Sequence, residues 1–397
     1  MRKFRMSVPV FTLGAVFFAS AASAAMPPAG TCTPPGAWTS RADFPSPVVR
    51  AWGQFFSGNG NFYVMGGRST DTAGSDLQQV SAYDPISDSW TALSGTYADN
   101  QVNNMVGGVL DFGGTEYIVT VGGSAAGAAT ATSEARQYDP IADVMTTLTS
   151  DPWPGNTDGA TLPGGAAVVD NKLYVFGGFD IGIGMVDTIY QFDPDAADGS
   201  RWTLMNATLP NPLGYIPVAA ADGFIYLMGG SIFNTDGTLS DSTDSSRYDP
   251  ATDTISAIAT IPRATGETRA VPQSDGSIWV LGGGRVAPNP GNEVDIYSPD
   301  SDSWTIGPPL NAARRNFAAD SDPVTGQIWA PVVMTLTDSP SWQSTNSSIR
   351  AQWLTTLFLP TGLTGRSSIG QRIEPIFALA VTDRRRSAET RGRRRLL

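Results

Sequence analysis

The 397-residue sequence has no histidine and a single cysteine. Without imidazole there is no Ser-His-Asp triad, no histidine-ligated zinc and no copper-radical centre, so carboxylates, arginines and backbone groups must carry any chemistry. Cys32 is alone, so no disulfide forms within one chain, and stability rests on burial rather than covalent staples. Apolar runs are short. Val8 to Phe18 falls below the roughly 20 residues a membrane-spanning helix needs. With Arg2, Lys3 and Arg5 before it and Ala22-Ser23-Ala24 after it, this run is expected to be a secretory signal over residues 1–24. A secreted or periplasmic location follows, with no transmembrane segment in the mature chain. Positive charge is scarce in the body of the chain: residues 25–360 hold 13 basic against 34 acidic side chains. Such a surface repels nucleic acid and anionic membrane, so neither is an expected partner. Most of the acids are aspartates at turn positions, where the side chain caps its own backbone.

What the chain has instead is repetition. Tyr63-Val64-Met65-Gly66-Gly67 ends a strand in a double glycine, and the pair returns at Gly122-Gly123, Gly177-Gly178, Gly229-Gly230 and Gly282-Gly283, at intervals of 56, 55, 52 and 53 residues. An aromatic-Asp-Pro element follows each time: Tyr83-Asp84-Pro85, Tyr138-Asp139-Pro140, Phe192-Asp193-Pro194 and Tyr248-Asp249-Pro250, with Tyr297-Ser298-Pro299 in the fifth copy. A Trp-Thr dipeptide comes next at Trp90, Trp202 and Trp304, while Met145 and Ile255 take that place in copies two and four. A unit of this length, with this order of glycine pair, aromatic and tryptophan, resembles the kelch repeat, whose units are the blades of a β-propeller. The resemblance covers roughly residues 37–357 and implies an all-β fold in which each copy folds as four antiparallel strands, a to d.

The two ends of the array complement one another. Ala37-Trp38-Thr39 has the signature of a fourth strand with no first three before it. Ile328-Trp329 aligns as a sixth strand b, and Ile349 to Trp353 resembles strand c, with no Trp-Thr after it. The expectation is a six-bladed kelch-type β-propeller over residues 37–358, closed by an N-terminal strand that completes the last blade and removes open sheet edges. The sixth copy departs from the pattern, because Ala330-Pro331-Val332-Val333 stands in place of the double glycine and Pro331 cannot donate to a ladder. Residues 25–36 read as a Pro-rich lead-in. Residues 359–397 read as an Arg-rich disordered extension, although Leu359-Pro360-Thr361-Gly362, an apolar segment and terminal arginines have the order of a surface-sorting signal.

Connectivity places the a-b and c-d turns on one face and the b-c loops on the other. The b-c loops read as long, at Arg68 to Gln79, Ser124 to Ala135, Phe179 to Asp187, Ser231 to Ser246 and Gly284 to Glu293, so recognition is expected on their face. The starts of the innermost strands should lie there too, carrying Arg50, Arg263, Glu267, Arg269, Arg314 and Arg315 around a central funnel. These arginines suit a carboxylate or sugar acid, or else pair with aspartates of adjacent loops. Two functions remain open. One is a secreted, monomeric binding module for a glycan or protein ligand. The other is a histidine-free enzyme of sugar-acid anomers, resembling the kelch sialic acid mutarotases in fold and compartment alone; Glu267 is then the only acid-base candidate. Galactose-oxidase-like chemistry is not implied, since its histidine ligands and cross-linked cysteine have no counterparts here. Asp193, Asp195 and Asp198, and likewise Asp236, Asp241 and Asp244, fit a calcium loop poorly and read as turns, so no metal and no cofactor is expected.

Overall fold

A computed structural model of the chain describes residues 38–70, 74–97, 103–124, 130–284 and 290–331. The expected signal, lead-in and tail, and the expected strand c at Ile349 to Trp353, lie outside them. Short runs of β-branched and aromatic residues, punctuated by Asp, Asn and Gly, form strands and turns, with no helix among the described residues. The first sheet is β1 (Trp52–Phe56), β2 (Asn61–Met65), β3 (Gln79–Asp84) and β4 (Ser89–Thr96). The second is β5 (Val106–Asp111), β6 (Glu116–Val121), β7 (Ala135–Asp139) and β8 (Val144–Thr147). The third is β9 (Thr161–Val169), β10 (Lys172–Asp180), β11 (Gly184–Phe192) and β12 (Trp202–Leu204). The fourth holds β13 (Val218–Ala221) and β14 (Phe224–Met228), a separate hairpin of β15 (Ser231–Phe233) and β16 (Leu239–Asp241), then β17 (Ser245–Asp249) and β18 (Thr254–Ala257). The fifth is β19 (Arg269–Pro272), β20 (Ile278–Gly283), β21 (Gly291–Ser298) and β22 (Ser303–Ile306). A two-stranded sheet, β23 (Asp320–Ser321) and β24 (Ile328–Trp329), follows.

Each of the five large sheets is an antiparallel meander in chain order. First strands pack side by side, β1 on β5, β5 on β9, β9 on β13 and β13 on β19, and β23 touches both β19 and β1.

The repeated residues explain how neighbouring sheets adhere. The aromatic of each aromatic-Asp/Ser-Pro element is buried: Tyr83, Tyr138, Phe192, Tyr248 and Tyr297 are at most 2% exposed. The ring three residues before the glycine pair in one sheet meets this aromatic in the next. Tyr63 lies 5.9 Å from Tyr138, Tyr174 lies 5.7 Å from Tyr248, and Tyr226 lies 5.7 Å from Tyr297. Burial of each such ring contributes about 2–3 kcal/mol. Trp329 of β24 makes the same contact with Tyr83, at 5.3 Å.

A polar staple accompanies each aromatic pair. The tyrosine hydroxyl donates to the aspartate five residues on, in Tyr83–Asp88, Tyr138–Asp143, Tyr248–Asp253 and Tyr297–Asp302. That carboxylate also accepts a backbone N–H from the preceding sheet, four residues past its Trp position: Ser94 for Asp143, Asn206 for Asp253 and Ala259 for Asp302. For Asp88 the donor is Ala42, four residues past Trp38. The Trp indoles form a third set. Trp202 donates to Asp151 O, Trp304 to Ala259 O and Trp90 to Ala42 O, while Trp38 donates to Pro308 O at 2.9 Å.

Burial works against ionisation of Asp143, yet hydrogen bonds from Ser94, Tyr138 and Gly95 outweigh it and hold its carboxyl down at about 2. A depressed acid stabilises the fold above its unfolded value of 3.8 and loses that contribution as pH falls toward about 2. Asp143→Asn is therefore expected to lower the urea midpoint at pH 7 and to flatten the loss of stability across the acid limb. A variant that unfolds along the wild-type pH curve would remove Asp143 from this role.

Two expectations need correction. The Trp38 segment is not paired as a strand, although its contacts are those of the Trp positions elsewhere. The loops expected at Phe179 to Asp187 and Ser231 to Ser246 are largely hairpin. A bulge between Phe176 and Gly178 lets β10 and β11 pair on to Asp180 and Gly184, and β15 pairs with β16.

Candidate functional site

The first strands meet around an axis, and the residue entering them is strained at five places. Arg50, Asn104, Tyr215, Glu267 and Asn316 all have left-handed backbones, with φ of 61°, 55°, 51°, 54° and 52°. Each costs on the order of 1–3 kcal/mol, and such strain concentrates at binding and switch sites. A hydrogen-bonded necklace offsets part of it. Asn104 N donates to Arg50 O, Arg50 N to Asn316 O at 2.6 Å, Asn316 N to Glu267 O at 2.6 Å and Glu267 N to Tyr215 O at 3.2 Å. The five side chains surround a shallow pocket of about 40 Å³ that also touches Arg269. Below it, sharing Ile216, Thr268 and Arg269, lies a cavity of about 300 Å³ walled by β1, β5, β9, β13, β19 and β23.

Arg50, Glu267 and Arg269 therefore come together at the axis, as the sequence suggested. Arg50 Nη1 donates to Asn104 Oδ1 at 3.3 Å, and from Asn104 a relay runs through Asn103 to Asp76, which holds Arg68 in a buried ion pair. The Glu267 side chain is 1% exposed and paired with Arg315 at 2.5 Å. So placed, Glu267 ties the mouth to Arg315. Arg269 donates through Nε to Phe317 O and through Nη2 to Ala51 O, with its guanidinium 4.7 Å over the Trp52 ring. Burial disfavours its charged form and lowers its pKa to about 10.

Arg263 and Arg314 do not line the axial pockets. Arg263 pairs with Asp295 at 3.2 Å and bonds to Gly282 O. Arg314 lies over Phe317 and bonds to the carbonyls of Ala312, Ala330 and Pro331, so it anchors the end of the sixth copy. For Arg263 the pairing alternative describes the geometry, whereas Arg314 is held by backbone carbonyls. The aspartates that fit a calcium loop poorly serve turns and ion pairs: Asp193 accepts from Asp195 N and Lys172, Asp198 pairs with Arg201, and Asp236 accepts from Thr238 N. Among the described residues no cluster of acidic or sulfur side chains is placed to hold a metal ion.

Sequence reasoning missed an aromatic group on this face. Phe179, at the end of β10, lies 6.1 Å from Tyr215 and 6.0 Å from Phe233 of β15, all three half-buried. Gly184 abuts Phe233, so the two hairpins lean together beside the mouth. No repeat signal marks these rings, because each sits in the variable part of its copy. Asp320 was also missed, and it lines the lower cavity.

Five four-stranded meanders packed through their first strands define a β-propeller. Comparisons with known proteins refine the class. A family model described as the Kelch motif matches residues 268–311. Kelch-like protein 25 of Xenopus tropicalis is 27% identical over 249 residues, 61% of this chain and 38% of its own length. Kelch repeat and BTB domain-containing protein 12 of Danio rerio is 33% identical over 153 residues, 32% of this chain and 24% of its own. The chain thus spans well under half the length of these curated relatives. The solved structure of YjhT superposes with a TM-score of 0.55 at 16% identity, covering 68% of this chain and 87% of YjhT, a likeness of fold. Residues 268–311 thus carry a kelch motif, and the chain is similar in sequence to kelch-repeat proteins and in fold to a kelch-type propeller.

Proposed function

We propose that the chain is an exported binding module, a closed propeller that recognises a glycan or protein ligand on the face bearing the b-c hairpins. The observation that carries the reading is the trio Phe179, Tyr215 and Phe233 standing beside a mouth edged by Arg50, Asn104 and Asn316. Half-exposed aromatics next to convergent polar groups supply the apolar anchor and the orienting hydrogen bonds that binding sites combine. Six blades support this face as one rigid ring. The Trp329–Tyr83 contact, the Ala42–Asp88 bond and the Trp38–Pro308 bond repeat, at the seam, what other blade pairs make internally.

A glycan array and a parallel pull-down test it. Replacing residues 232–240 by a two-residue turn, or combining Phe179→Ala with Tyr215→Ala, is expected to lower capture at least tenfold with little change in melting temperature, as loss of aromatic anchors does. Capture indifferent to both changes would place recognition elsewhere.

A further inference from the structure

The lower axial cavity is polarised. Among its described lining residues, β5, β9 and β13 contribute no titratable side chain, only glycine and aliphatic groups. The polar side chains gather where β19, β23 and β1 meet: Thr268 just before β19 and Arg269 on it, Asp320 on β23, and Gln54 with Trp52 on β1. Arg269 and Asp320 are the charged residues lining it, and each lies within electrostatic reach of the other.

The surroundings of Asp320 pull in two directions. Its Oδ2 accepts Gln54 Nε2 at 2.6 Å and Phe55 N at 2.8 Å, and its Oδ1 accepts Ser321 N at 2.9 Å. Donors alone surround it, which suits a carboxylate. Burial opposes the charge more strongly, and the carboxyl is pushed up to about 7. Above that value the cavity holds one carboxylate and one guanidinium and is neutral. Below it Asp320 takes up a proton, and Arg269 is left as the uncompensated charge.

We infer that the lower axial cavity is a proton-linked binding site for a small carboxylate, with Arg269 as its counter-ion and Asp320 as the internal carboxylate that competes for it. A bound carboxylate replaces the charge of Asp320 beside Arg269, and Asp320 takes one proton from solvent as the anion enters. No covalent bond changes. The cavity, at about 300 Å³, matches the lower end of small-molecule sites, and its Gly and Ala walls leave room for a short apolar tail. This site lies beneath the mouth, and it stands whether or not the aromatic trio binds a larger ligand.

The test is calorimetric titration of the full chain with sodium acetate, in carboxylate-free buffers of differing ionisation enthalpy, at pH 6 and pH 8.5. If only the protonated form of Asp320 admits the anion, affinity falls roughly thirtyfold between these two pH values. Proton uptake at pH 8.5 approaches one per acetate. Asp320→Asn, which keeps a neutral group of the same size, should bind at both pH values with the pH dependence gone and no proton uptake. Arg269→Gln should lose binding, and circular dichroism reports whether it remains folded. The wild-type proton count needs no variant, so the idea stands or falls even if that protein unfolds. Absence of acetate binding at pH 6, binding without proton uptake at pH 8.5, or tighter binding at pH 8.5 would each overturn it.

Discussion

Deleting residues 38–44 is expected to destabilise the propeller more than any other excision of similar length, and to drive it into oligomers. The segment forms no ladder, yet it carries contacts that elsewhere belong to a fourth strand. Trp38 Nε1 reaches Pro308 O, Asn311 Nδ2 reaches Trp38 O, Ala42 N reaches Asp88, and Trp90 Nε1 reaches Ala42 O. Phe44 packs edge-on against Trp90 at 4.7 Å. Removing the segment strips Trp90 of its acceptor, uncovers apolar surface on the cluster around Trp329 and Phe317, and leaves the sixth copy open where it meets the fifth and first sheets. Trp38→Ala alone should cost about 2–4 kcal/mol, at the lower part of the range for buried tryptophans because the ring is half-buried. Ile306→Ser, at a side chain 85% exposed, should shift stability by less than about 0.5 kcal/mol. Urea midpoints and size-exclusion profiles report both effects. A deletion mutant that stays monomeric with the wild-type midpoint would mean the N-terminal segment is not the latch.

The contacts that support the proposed latch follow a register that is legible in the sequence. Trp38 with Ala42 has the spacing of Trp90 with Ser94, Trp202 with Asn206 and Ile255 with Ala259, and the staple bonds use that spacing in every case. The core was legible for the same reason: rings that recur at one interval face one another across blades. The b-c connections were harder to read. Whether Phe179 to Asp187 is a loop or an extended hairpin depends on one bulge at Gly177, and tertiary pairing decides that, not local propensity. The arginines divide similarly. Arg50, Glu267 and Arg269 reach the axis, whereas Arg263 and Arg314 are drawn aside by Asp295 and by the carbonyls after β24. Charge near a strand start does not say which way a long side chain turns. Asp320 was invisible because its strand is two residues long and opens the copy that departs furthest from the repeat.

The glycine pairs have a sharper physical reason than flexibility, and it yields the second large effect. In the third, fourth and fifth blades, the N–H of the second glycine donates to a carbonyl of the next copy: Gly178 to Leu213 O, Gly230 to Thr265 O and Gly283 to Arg314 O. The first glycine lies against that same carbonyl. A Cβ on Gly177, Gly229 or Gly282 would sit 2.3 Å, 2.4 Å or 2.8 Å from it. One residue thus makes the blade-to-blade bond, and its neighbour lacks the atom that would block it. Gly229→Ala should incur the left-handed penalty at φ +85°, about 1 kcal/mol, plus about 2–3 kcal/mol for displacing Thr265 O and losing its bond. Gly223, at φ +79° with nothing within 4 Å, isolates the first contribution: Gly223→Ala should cost only about 1 kcal/mol. Urea denaturation of the two variants separates the effects, with Gly229→Ala expected to lose roughly three to four times as much. Equal losses would mean that backbone conformation alone selects the glycine pairs, and that the interblade carbonyl contact is incidental to them.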